Sequence, residues 1–141
     1  MKKTLLVLLA SLTLGACLPY LYTPGDTLER TTHVKGKVRE YLLHVPPSYD
    51  GSRPVPLVIT IHGFSQWPAH QLWLSKWNPL ADERGFIVAY PSGTGFPKRW
   101  SMHRANGTQF DAAPDVAFLR RMIGEIARDY RIDASRIYVN G

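Results

Sequence analysis

Leu57-Val58-Ile59-Thr60-Ile61-His62-Gly63-Phe64 decides how this chain is read. The run from Leu57 to Ile61 is unbroken and rich in β-branched residues. Such a run suits a strand buried on both faces, as in a parallel sheet covered by helices. A Gly behind it lets the backbone turn sharply and come close to another molecule. A second stretch, Arg136-Ile137-Tyr138-Val139-Asn140-Gly141, repeats the design of an apolar strand running into a Gly. Chemistry is therefore expected where these two strands end.

The segments around them complete an alternating pattern. Thr31 to Val45 is strand-like, with Val38, Leu42 and Val45 apolar and Gly36 placed to turn one strand into the next. Pro46 to Gly51 holds turn residues. Pro68 to Arg84 reads as a helix with Leu72, Lys76, Leu80 and Ala81 near one face. Pro79 should kink or restart it, and Gly85 should cap it. Phe86-Ile87-Val88-Ala89-Tyr90 is another buried strand, closed by Pro91-Ser92-Gly93. Gly93 to Ala113 is a long polar loop containing Trp100, and loops of that length are usually functional or mobile. Pro114 suits the first turn of a further helix, with Asp111 or Asp115 near its N-terminus. Val116, Leu119, Met122, Ile123, Ile126, Ala127 and Tyr130 supply its apolar stripe, and Asp133 to Arg136 turns the chain into the last strand. The order predicts an α/β sheet with right-handed crossovers.

Composition agrees with one ordinary globular domain: 141 residues, 45% hydrophobic and 20% charged. The net charge is +6, and without Lys2 and Lys3 the 17 basic residues fall to 15 against 11 acidic ones, or +4. The basic residues are scattered, so no nucleic-acid footprint is expected. Residues 1–16 have the form of an export signal, with Lys2-Lys3 before an uncharged apolar stretch from Leu5 to Leu14. That stretch is too short to span a bilayer, which takes about 20 residues. Leu14-Gly15-Ala16-Cys17 resembles a bacterial lipobox, in which Cys17 is lipidated and becomes the first mature residue. An ordinary signal peptide that happens to precede a Cys is the alternative. Cys17 is the only cysteine, so no intrachain disulfide can form. Leu18 follows it, as in lipoproteins sorted to an outer membrane. Residues 17–30 are read as the lipidated Cys and a tether, and residues 31–141 as the domain.

His62-Gly63-Phe64 is the first candidate for chemistry. Acyl transfer places negative charge on a carbonyl oxygen, and each preorganised backbone N–H that stabilises it contributes roughly 3–4 kcal/mol. The N–H of Phe64, after the turn at Gly63, can supply such a donor; a His packed beneath a strand end is the plainer reading. Gly141 has the position of the first Gly in a nucleophile elbow, G-x-S-x-G. Trp100 either lines an acyl pocket or anchors its loop by burial.

Together these motifs resemble secreted poly(3-hydroxybutyrate) depolymerase-like esterases and their relatives, the feruloyl and acetylxylan esterases of carbohydrate esterase family 1. The resemblance rests on Tyr41 to Pro46, Leu57 to Gly63, Ala81 to Pro91 and Asp115 to Gly141, and covers about residues 30 to 141. It implies an α/β-hydrolase fold and hydrolysis of carboxylic esters through a Ser-His-Asp triad. It also implies an oxyanion hole at His62-Gly63-Phe64, a Trp100 near the acyl pocket and no cofactor. Many relatives carry a Cys after the His-Gly, where this chain has Phe64-Ser65. The nucleophile, acid and base of that triad are expected after Gly141, because in this order of motifs the general base comes last. The chain is thus expected to be the N-terminal part of the domain, to meet the strand leading into the elbow at its last residue, and to be inactive alone. Its expected partners are an ester substrate, a polyester oligomer or an acylated polysaccharide, and a membrane reached through Cys17. A non-catalytic binding lipoprotein and a peptidase of the same fold are the rival readings.

Three weaker signals carry little. Gly93-Thr94-Gly95-Phe96 lacks the third Gly of a dinucleotide fingerprint. The five histidines, His33, His44, His62, His70 and His103, show no metal-ligand spacing. Asn106-Gly107-Thr108 fits a glycosylation acceptor, a modification uncommon in the bacteria that a lipobox implies.

Overall fold

A computed structural model describes residues 27–101 and 112–141. The leader, Cys17, Asp111 and Asn106 to Thr108 lie outside the described residues. Strand β1 (Thr27–Val34) and strand β2 (Lys37–His44) form an antiparallel hairpin. Its turn is Lys35-Gly36, both with positive φ of 48° and 76°. That backbone matches the twist of the two strands, and Gly36 adopts it at no steric cost. Then follow β3 (Val55–Thr60), α1 (Pro68–Ser75), α2 (Trp77–Arg84), β4 (Ile87–Pro91), α3 (Ala113–Asp129) and β5 (Ile132–Asn140). The sheet order is β1-β2-β4-β3-β5; β2 and β4 are antiparallel, while β4, β3 and β5 are parallel.

Both faces of the sheet are covered, which is why its central strands read as continuous apolar runs. Tyr41, Leu43, Leu57, Ile59, Ile87 and Ala89 point to one face and pack on Phe118, Met122 and Ile126 of α3. Leu42, Val58, Val88 and Tyr90 point to the other and pack with Leu72, Ala81 and Phe86. From β3 the chain steps to β4 on one side, then back across β3 to β5. Crossovers of one hand that run in opposite directions leave their helices on opposite faces. The direction reverses at β3, so the sheet's switch point lies between β3 and β5, and ligand sites in open α/β sheets form outside the carboxyl ends of the strands there.

The structure corrects several sequence expectations. β1 begins at Thr27, inside the stretch read as tether, because its polar residues are held by partners elsewhere. Arg30 donates to Tyr130 Oη at 3.1 Å, and Thr32 Oγ1 donates to Glu125 at 2.8 Å. The apolar Val38 of β2 is exposed, and its neighbour Arg39 is buried instead. The helix expected from Pro68 to Arg84, with a kink or restart at Pro79, does restart and forms two helices, but the break comes before the proline. The break is at Lys76, in the left-handed region with φ 56°, and Pro79 sits in the first turn of α2, where a proline is tolerated. The break turns Leu80 outward and Asn78 inward, where Asn78 accepts the Tyr90 hydroxyl at 2.6 Å. Burial pushes the Tyr90 phenol well above its usual range. Gly85 caps α2 as expected, with φ 71° and its N–H on Ala81 O at 2.8 Å. On α3 the most deeply buried residues are Phe118, Met122 and Ile126, and Val116 faces outward, so the apolar stripe is rotated from the one read in the sequence.

Candidate active site

His62 lies just past β3 and is almost fully buried. Both ring nitrogens are occupied. Nδ1 lies 2.8 Å from Gly63 O, and Nε2 lies 2.8 Å from the N–H of Gly93. A carbonyl can only accept and an N–H can only donate, so the ring is neutral, with its proton on Nδ1. Burial lowers the His62 pKa below 6.5, and the Lys98 and His70 charges lower it further against the opposing bond to Gly63 O. This histidine has no lone pair free to take a proton from a nucleophile.

The bond to Gly93 is one link in a closed circuit around the end of β3. Ser92 O accepts from Arg39 Nη2 at 3.0 Å. Arg39 Nη1 meets Asp115 Oδ1 at 3.0 Å, and Asp115 Oδ2 accepts the Ser101 N–H at 2.6 Å. Trp100 Nε1–H then donates to His62 O at 2.8 Å, which returns the circuit to its start. The Trp100 and His62 rings pack at 5.1 Å between centroids, and the Arg39 guanidinium lies over the Phe118 ring at 4.1 Å. Arg39 and Asp115 side chains are only 5% and 12% exposed, so their pairing satisfies charges that would otherwise be costly to bury. Asp115 also sits in the first turn of α3, where a negative charge is favoured. Gly93 is obligatory here, since a Cβ would meet Arg99 O at 2.6 Å.

The circuit holds a turn with one conspicuous free donor. Gly63 N–H is bonded to Gln66 Oε1 at 2.8 Å, Ser65 N–H to Lys98 O at 2.8 Å and Gln66 N–H to Gly63 O at 3.3 Å. Among the described residues, the Phe64 N–H between them has no partner. Ser65, with φ 62°, completes the reversal, and the Phe64 side chain stands exposed. Across the switch point, Ile61 N–H bonds to Asn140 O at 2.8 Å. Gly141 packs so closely that a Cβ would lie 3.0 Å from Ile61 O. The expected residues His62, Gly63, Phe64 and Gly141 are thus brought to one place, and Trp100 packs against them as the loop's anchor. Among the described residues, no three or more His, Cys, Asp or Glu side chains cluster as a metal site would need.

Solved structures share this fold. The acetyl xylan esterase from Aspergillus awamori superimposes with a TM-score of 0.65 at 18% identity, over 82% of this chain and 42% of that one. The described residues carry part of the α/β-hydrolase fold. In sequence, the chain is 31% identical to a bifunctional acetylxylan esterase/xylanase from Neocallimastix patriciarum over 86 residues, 61% of the chain and 12% of the relative. It is 28% identical over 119 residues to NocK, an inferred esterase of Nocardia uniformis subsp. tsuyamanensis, covering 83% of the chain and 34% of the relative. A shorter match, 37% over 51 residues, joins it to dipeptidyl-peptidase 5 of Aspergillus fumigatus, over 36% of the chain and 7% of the relative. The chain spans about a third or less of the length of each of these relatives. No family profile matches it.

Sequence reasoning did not find Arg39, Ser92, Gly93 or Ser101 as parts of the site. Arg39 and Asp115 are far apart in the chain, and Arg39 is one of many scattered basic residues. Its one signal was position: it falls on the same alternation as Tyr41 and Leu43, which point inward.

Proposed function

We propose that this chain is the oxyanion-bearing part of an exported serine carboxylic-ester hydrolase that acts on polyester oligomers or acylated polysaccharides. The observation that carries the reading is the free Phe64 N–H, held on a braced turn beside Gly141 at the switch point. In this reading a Ser following Gly141 attacks the ester carbonyl, its proton passes to a later His, and the C–O bond to the alcohol breaks to leave an acyl-enzyme that water hydrolyses. The Phe64 N–H stabilises the oxyanion of both steps, a contribution of roughly 3–4 kcal/mol. His62 is the brace of that donor and not the base. The ester relatives named above support the substrate class, and the lipobox-like Leu14 to Cys17 supports export with a lipid on Cys17.

The test compares the 141-residue chain with the product of the same reading frame extended past Gly141. The chain alone should hydrolyse no p-nitrophenyl acetate and take up no serine-reactive fluorophosphonate, while the longer product does both and releases acetate from acetylated xylan. Fluorophosphonate labelling of the 141-residue chain would overturn the assignment. The match to dipeptidyl-peptidase 5 favours one second reading, a peptidase with the same oxyanion turn, which faster turnover of dipeptidyl p-nitroanilides than of acetates would establish. Alkyne fatty-acid labelling of cells should mark the wild type and not Cys17→Ser; no label in the wild type would make the leader an ordinary signal peptide.

A further inference from the structure

Beside the oxyanion turn lies a cleft of about 340 Å³ between the β1–β2 hairpin and the start of α1. That size falls within the range of small-molecule sites. Glu29 pairs with Leu42 and Thr31 with Glu40 across the hairpin, so these four residues share one face of the sheet, and all four line the cleft. Trp67 and Ala69 line the opposite side, and Trp67 stays 43% exposed. We propose that this cleft is a glycan subsite, which seats a pyranose unit of an acylated polysaccharide so that its ester reaches the oxyanion turn.

The chemistry of the lining selects that class of ligand. Leu42 and Ala69 are apolar and Trp67 offers an aromatic ring, which suits the C–H face of a sugar. Glu29 and Glu40 can only accept hydrogen bonds, so they need a ligand rich in donors. Sugar hydroxyls supply donors; a polyester segment carries only acceptors and would leave the Glu29 carboxylate unmatched. A cation fits less well. Lys98 Nζ lies 3.5 Å from Glu40 Oε2 and already offsets that carboxylate. The Glu29 carboxylate has no hydrogen-bond partner among the described residues. The cleft and the oxyanion turn are mechanically joined. Lys98 holds Glu40 with its side chain and the Ser65 N–H with its carbonyl. Ser92, at the cleft's edge, belongs to the hydrogen-bond circuit through its carbonyl.

This inference rests on the acylated-glycan reading above, and its test involves no ester cleavage. The 141-residue chain is titrated with xylotetraose, which carries no acyl group, by calorimetry and amide-resolved NMR. Saturable binding that shifts residues 29–31, 40–42 and 67–69 is expected. Trp67→Ala should weaken it about tenfold or more. Glu29→Gln, an isosteric change at an exposed position, should weaken it about threefold with the fold intact. No binding to the folded chain, binding unaffected by either variant, or saturation by choline or a 3-hydroxybutyrate trimer in place of xylotetraose would overturn the subsite. If the extended product cleaves p-nitrophenyl acetate while xylotetraose fails to bind, only the subsite falls. If xylotetraose binds and the extended product cleaves no ester, the subsite stands without the hydrolase.

Discussion

The ends of β3 and β5 have the same sequence design and opposite surroundings. Each is an apolar strand that runs into a Gly at the switch point. Past β3, the backbone is fixed by a buried His62, a buried ion pair and the Trp100 donor, and among the backbone N–H groups of the turn from Gly63 to Gln66 only that of Phe64 lacks a partner. Along β5, Tyr138 and Val139 stay 54% and 59% exposed although they are paired in the sheet. The difference shows that an apolar strand ending in Gly does not by itself make a rigid site. Rigidity at β3 comes from polar bonds reaching in from β2, the loop after β4 and α3.

Breaking the brace should cost far more than altering β5. Asp115→Ala leaves Arg39 charged, buried and unpaired, and frees the Ser101 N–H; a loss of about 3–5 kcal/mol in urea unfolding is expected. A loss under about 1 kcal/mol would show that the circuit is not rigid. Next comes His62→Phe, which keeps the bulk and leaves the Gly93 N–H without an acceptor. It should cost about 1–3 kcal/mol. The same variant reads the pH dependence. Because the folded His62 has its pKa lowered below 6.5, the unfolded chain binds the extra proton first as pH falls. The contribution of His62 is therefore complete above 6.5 and declines as pH drops below it, and the difference in stability between wild type and His62→Phe should shrink on the acid side. A difference that grows there would reverse the assignment of the neutral ring. Trp100→Phe keeps a ring over His62 and removes only the donor to His62 O, for a loss of about 1 kcal/mol. The smallest effect is expected on β5, where Tyr138→Thr should leave stability within about 0.5 kcal/mol and reduce self-association in sedimentation.

Much of the fold was legible because it rests on local signals. The Leu57 to Ile61 run, Gly36 in the hairpin turn, the Gly85 cap and Pro114 at the start of α3 each follow from one residue's conformational preference or one period. The site was legible only at its centre. His62, Gly63 and Gly141 show themselves as strand ends, but the parts that hold them are set by contacts between segments distant in sequence. Arg39 looked like a surface charge beside the apolar Val38, and the structure reverses the two because Arg39 finds a carboxylate and a carbonyl inside. The left-handed residue at Lys76 left no signal either, since nothing about a lysine demands that conformation.

The oxyanion assignment requires that one donor in a pinned turn is kept free. Amide-resolved hydrogen exchange measures it directly on the 141-residue chain. Ser65 and Gly93, bonded to Lys98 O and His62 Nε2, should be protected, while Phe64 between its bonded neighbours exchanges at close to the rate of an unprotected amide. Protection of Phe64 equal to that of Ser65 would mean that its N–H is already spent within the fold, and would contradict the oxyanion assignment.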